Sequence, residues 1–183
     1  MSFRLSGNRC EEIKRVIVDT FVQFNVRCIP ISGFEIATKL GATVIPYSAY
    51  SDDVKVLLIK RSEDGFSIEK APGEWYIYYN DAMSYGRINN TIMHENGHIV
   101  LDHSQESELA DAEARFFAKY ALAPPVLIHR LNLKNSNEIA SAFAISAEAA
   151  RYAYSYYEKW LRYGESNYTD YEVTLLNNFD LSA

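Results

Sequence analysis

The 183-residue sequence has little of what would mark a secreted, membrane-bound or nucleic-acid-coating protein. It holds only two cysteines, Cys10 and Cys28, which form no CxxC pair and no disulfide framework. The pattern predicts two reduced thiols and a cytoplasmic protein. No apolar run approaches the ~20 residues that a bilayer-spanning helix needs. The opening stretch MSFRLSGNRCEEIKRVIV mixes both charge signs before anything apolar, unlike a secretory signal. The expectation is therefore no membrane partner. Basic residues number 18 against 24 acidic ones, a formal charge of −6, which argues against gripping nucleic acid through the overall field. Repeats and low-complexity segments are absent.

What is present is a globular mixture, 48% apolar and 23% charged, long enough for one domain with a real core. Residues 9–25 and 34–40 carry apolar side chains at helical spacing. ATVIPY at 42–47 reads as a strand, and VKVLLIK at 54–60, rich in β-branched residues, is expected in a sheet. SEDG marks a turn before a short strand, FSIEK, and the aromatic strand EWYIYYN follows. Beyond residue 85 only helices are expected, at 86–103, 106–122, 125–131, 135–143 and 147–163. The layout is α+β, with a small N-terminal sheet and a helical C-terminal half. It divides into a first domain at 1–131, a helical hairpin at 132–163 resembling a helix-turn-helix, and an acidic tail at 164–183. Residues 132–163 hold Lys134, Arg151, Lys159 and Arg162 against Glu138, Glu148 and Glu158, a near-neutral balance poorly suited to phosphates.

The segment NNTIMHENGHIVLDH (89–103) places two histidines four apart around a glutamate. Residues four apart sit ~40° from one another on a helix, one turn along. His94 and His98 can therefore aim imidazole nitrogens at one metal ion. Glu95 lies beside that point, where a base is needed to take a proton from a water activated by the metal. His103, nine residues after His94, points to the opposite side of a continuous helix, which suggests a structural or supporting role.

Downstream runs SQESELADAEARFFAKYALAPP, a second helix carrying Glu106, Glu108, Asp111 and Glu113. Asp111, Glu108 and Arg115 share one face. Glu113 lies about 200° from Asp111 and is expected to be solvated or paired with a lysine. RINNTIMHENGHIVLDH followed by DAEARFFAKYALAP resembles the ImmA/IrrE family of metallopeptidases, in which an HExxH helix precedes an acidic residue, an Ala, a Phe-Ala pair and a Leu-Leu-x-Pro end. Asp111, Ala114, Phe117, Ala118, Leu122 and Pro124 fall on those positions, and WYIYYND, Arg87 and Thr91 match the approach to the helix.

The resemblance implies a zinc-dependent peptidase with His94, His98 and Asp111 as ligands and Glu95 as general base. The family usually has Glu at position 111, so Asp implies closer helices here. It prefers Asn or Asp at 115, where this chain has Arg. An acceptor for a ligand histidine would then come from Asp102, Glu108 or a backbone carbonyl. Asp102, His103, Glu108, Arg115 and Tyr78 are the candidates for supporting the ligands or touching substrate. The substrate implied is a protein, a helix-turn-helix repressor, whose extended segment could pair with the edge of WYIYYND. Two other readings are a non-catalytic relative that binds a partner and a DNA-binding regulator using residues 135–163.

Overall fold

The computed structural model describes residues 4–105, 107–164 and 167–181. The chain runs α1 (Gly7–Gln23), α2 (Gly33–Lys39), β1 (Thr43–Pro46), α3 (Asp52–Arg61), β2 (Gly65–Ala71), β3 (Glu74–Tyr79), α4 (Tyr85–Val100), α5 (Glu108–Leu122), α6 (Pro125–Arg130), α7 (Ser136–Phe143), α8 (Ala147–Gly164) and α9 (Asp170–Asn178). This is the expected α+β layout. Among the described residues no helix is long and apolar enough to cross a membrane.

The three strands lie in the order β1-β3-β2, with β1 parallel and β2 antiparallel to β3. The central strand is therefore WYIYY, bonded on both sides, and its edge is not open to a substrate as the sequence suggested. Among the described residues the open edges belong to β1 and β2.

Pleating sends Trp75, Ile77 and Tyr79 to one face, where they pack with Ile88, Ile92 and Ile99 of α4. Tyr76 and Tyr78 point to the other face. Tyr78, a candidate substrate contact, is instead buried there, stacked on Phe66 at 5.1 Å between centroids. It fills the sheet's outer layer, away from α4.

Residues 54–60 are not a strand. They form most of α3, whose first turn holds Asp52 and Asp53 and whose last turn holds Lys60 and Arg61, each sign matching the helix dipole. Both partners of the central strand β3 are supplied by β1 and β2, so the apolar run is not needed beside it. Its side chains are left outside, with Val56 and Leu57 64% and 65% exposed.

The main core is continuous from α1 to α9. Ile13, Ile17 and Phe21 meet Phe117 and Leu127, and Phe143 and Leu175 join the same cluster. Residues 170–178, expected within an acidic tail, form a helix opened by a reciprocal cap between Thr169 and Glu172. That helix buries Tyr171, Leu175 and Leu176. Glu172 spends its charge locally, accepting from Trp160 Nε1 at 2.6 Å and from the Thr169 backbone at 2.8 Å.

Candidate metal centre

The site is built where α4 crosses α5. A methyl group added at Gly97 would lie 3.1 Å from Ala114 Cα and 3.1 Å from Phe117 Cβ. Two small residues face each other, so the helix backbones come close, and the short arm of Asp111 reaches the histidines. This answers the departure from Glu at that position. Gly97→Ala should force the helices apart by a few tenths of an ångström and weaken metal retention several-fold, to about 10-fold, because the aspartate has no slack. Competition against a chromophoric chelator measures it, and unchanged affinity would refute the close-approach argument.

His94 Nε2 and His98 Nε2 are 3.1 Å apart, and His94 Nε2 lies 3.5 Å from Asp111 Oδ1. The ligand atoms of all three lie within 4.8 Å of one another. A tetrahedral ion with bonds of about 2.0–2.1 Å separates its ligands by about 3.3 Å, and the two contacts made by His94 Nε2 stand close to that spacing. Arg115 bonds the other oxygen of Asp111, which leaves Oδ1 turned toward the histidines. Arg115 thus holds the carboxylate of Asp111, the candidate third ligand, instead of accepting from a histidine.

Burial, then the neighbouring His98, holds the His94 pKa down to about 4. The ring is neutral at physiological pH, as a ligand must be. Because the folded value lies below the unfolded one, unfolded chains take the proton first. This stability term is complete above about 6.5 and is lost as pH falls toward 4. The chelated protein should lose on the order of 3 kcal/mol at most through this group between pH 7 and pH 4. Urea unfolding of wild type against His94→Gln would show it as a steeper acid dependence in wild type.

Glu95 is 7% exposed, and the Ser67 hydroxyl donates to its Oε2 at 2.6 Å. Ser67 faces Ile77 across the ladder, so it projects toward α4. Gly65, two residues earlier on the same face, has no room for a side chain, since Thr91 Cγ2 would stand 2.7 Å from it. That contact lets the β2 edge lie close over the helix. A cleft of about 570 Å³ opens there, lined by Ser67, Trp75, Glu95, His98, Asp111 and others.

The supporting candidates divide. Helix α4 ends at Val100, not at residue 103. Asp102 adopts a left-handed φ of 54°, its amide donates to Ile99 O at 3.2 Å, and the His103 amide donates to His98 O at 3.0 Å, the double bond of a Schellman cap. The chain doubles back, and His103 Nδ1 comes 3.0 Å from His98 Nδ1. His103 is thus beside the centre, because the continuous helix assumed from sequence stops one turn earlier. Asp102 is exposed and contributes its backbone turn; Glu108 is exposed in the first turn of α5. The ring beside the His98 imidazole is that of His103.

Glu113 is not solvated. It is 5% exposed, accepts from Arg9 Nε at 2.7 Å and Nη2 at 2.9 Å, and lies 2.9 Å from His103 Nε2. Arg9, ahead of its burial and His103, holds the Glu113 carboxyl below the usual range. Sequence gave no hint of this pair, because Arg9 lies 104 residues away. Ser67 likewise carried no signal.

No curated protein and no solved structure gives a significant match. The model of a peptidase family, described as the IrrE N-terminal-like domain (Peptidase_M78), matches residues 37–175, spanning β1 to α9 and including His94, Glu95, His98 and Asp111. The chain belongs to the IrrE N-terminal-like family of peptidases.

Proposed function

We propose that this chain is a zinc-dependent endopeptidase that cuts an extended segment of a regulatory protein of the repressor type. The observation that carries the reading is the meeting of His94, His98 and Asp111 beside Glu95, in a cleft bordered by the free edge of β2. Two imidazoles and one carboxylate are the donor set of a catalytic zinc site with a position left for substrate. When bound, the ion would supply Lewis acidity toward the scissile carbonyl and toward water.

The remaining work falls to side chains. Glu95 takes a proton from water and returns it to the leaving amine. Its buried position keeps it close to the ligands, and the Ser67 bond fixes how the carboxylate is turned. The substrate backbone pairs with β2, adding a strand to the sheet, which threads it past Glu95 without needing a particular sequence for the main-chain bonds. Residue preference then comes from the cleft walls, where Trp75 offers apolar area and Arg61 and Glu69 offer opposite charges.

Elemental analysis of protein prepared without chelators should find about one zinc per chain, and Asp111→Ala should lower that occupancy while leaving the fold intact. Absence of divalent metal from wild type, with no uptake on zinc addition, would overturn the proposal.

A further inference from the structure

We propose that Arg9, Glu113 and His103 are positioning residues of the metal centre, a hydrogen-bond chain that begins on α1 and fixes the ring of His98. The inference rests on the metal-centre reading and adds to it a control that reaches outside the matched family region, since Arg9 precedes residue 37.

The direction of every bond follows from one requirement. His98 turns Nε2 toward His94 Nε2, at 3.1 Å. If that nitrogen offers its lone pair to a cation, the proton of His98 sits on Nδ1. It is then donated to His103 Nδ1, 3.0 Å away. His103 must accept there, so its own proton sits on Nε2 and is donated to Glu113 Oε2 at 2.9 Å. The reverse assignment would protonate the His98 nitrogen that faces the cluster. A carboxylate at the far end selects the forward one, because an ionised carboxylate only accepts.

Arg9 supplies what Glu113 lacks. A carboxylate with 7% of its side chain exposed is costly without a counter-charge. Arg9 binds both of its oxygens in the planar bidentate fashion and is itself held by Glu12 at 2.9 Å. A purely structural tie between α1 and α5 would need no histidine on it. Here the same oxygen that receives Arg9 Nη2 also receives His103, and the turn at Asp102 delivers that ring to His98. Outer partners of this kind set the tautomer and orientation of a ligand imidazole.

The test uses the full chain, with zinc affinity from chelator competition, the visible spectrum of the cobalt-substituted form and the melting temperature of the metal-free form. His103→Phe should weaken zinc by about 10–100-fold, and Glu113→Gln and Arg9→Met by about 10-fold each, with altered cobalt bands. The double variant Arg9→Met/Glu113→Gln should be no weaker than Glu113→Gln alone, because Arg9 acts through Glu113. Arg9→Lys, which keeps the charge and loses the fork, should fall between wild type and Arg9→Met, and it serves if Arg9→Met does not fold. Zinc affinity within about twofold of wild type in these variants, whatever happens to the metal-free melting temperature, overturns the inference, as does simple additivity in the double variant. Failure of wild type itself to bind zinc overturns the metal-centre reading and this inference together.

Discussion

Glu95→Gln is expected to retain its metal and to lose cleavage by about 10²–10⁴-fold. The substitution is close to isosteric. The amide can still accept from Ser67 Oγ through its oxygen, so the 2.6 Å contact and the burial survive. What disappears is the ability to take a proton. The proposed ligands His94, His98 and Asp111 are untouched, and zinc content should match wild type. Those two measurements separate the proton-transfer role from a structural one. A Glu95→Gln protein with full zinc and wild-type cleavage would remove Glu95 from the mechanism. One with no zinc would show that Glu95 acts on the ligands instead.

Ser67→Ala makes a graded companion. It leaves Glu95 ionisable but frees its orientation, so cleavage should fall by several-fold, to about 10-fold, with zinc content unchanged. The loss should fall on kcat, because the hydroxyl orients the carboxylate that takes the proton. A rise in KM with kcat unchanged would assign Ser67 to substrate binding on the β2 edge.

Much of this centre could be read from sequence for a physical reason. His94, Glu95 and His98 lie within one helical turn or so, and local geometry alone fixes their relation. Asp111 came from the resemblance to a family, and the structure adds why a short acid suffices: Gly97 against Ala114 draws the helices together. The outer partners were illegible because each depends on chain reversal or on distant contact. Continuing α4 past Val100 puts His103 on the wrong side. A single left-handed residue, Asp102, undoes it.

Glu113 was read from its own helix, where nothing nearby is basic at the right spacing, while its partner sits on α1. The run at 54–60 misled in the opposite sense. Its composition favours a strand, but the flanking acids and bases mark a helix, and tertiary context gave the sheet edge to β2. The capping pair Thr169 and Glu172, three residues apart, was a legible helix signal ahead of Tyr171 and Leu175.

The largest effect on metal is expected from the histidines. Structural zinc in small peptides is worth about 10–16 kcal/mol over four ligands, or roughly 2.5–4 kcal/mol for each, which corresponds to about 10²–10³ in affinity. His94→Ala and His98→Ala should each lose at least that much, and their consequences should differ. His94 is the ring whose burial suppresses its proton, so its removal relieves a desolvation cost, and the metal-free protein should be no less stable at mildly acid pH than wild type. His98 is bonded through Nδ1 to His103 and so to Glu113 and Arg9. Its removal strips one partner from a nearly buried network, which costs about 1–3 kcal/mol for a group left unsatisfied. The metal-free melting temperature should therefore fall for His98→Ala and hold for His94→Ala below about pH 6. Equal melting temperatures for the two metal-free variants at pH 5.5 would mean that the network does not depend on His98, even if both had lost their zinc.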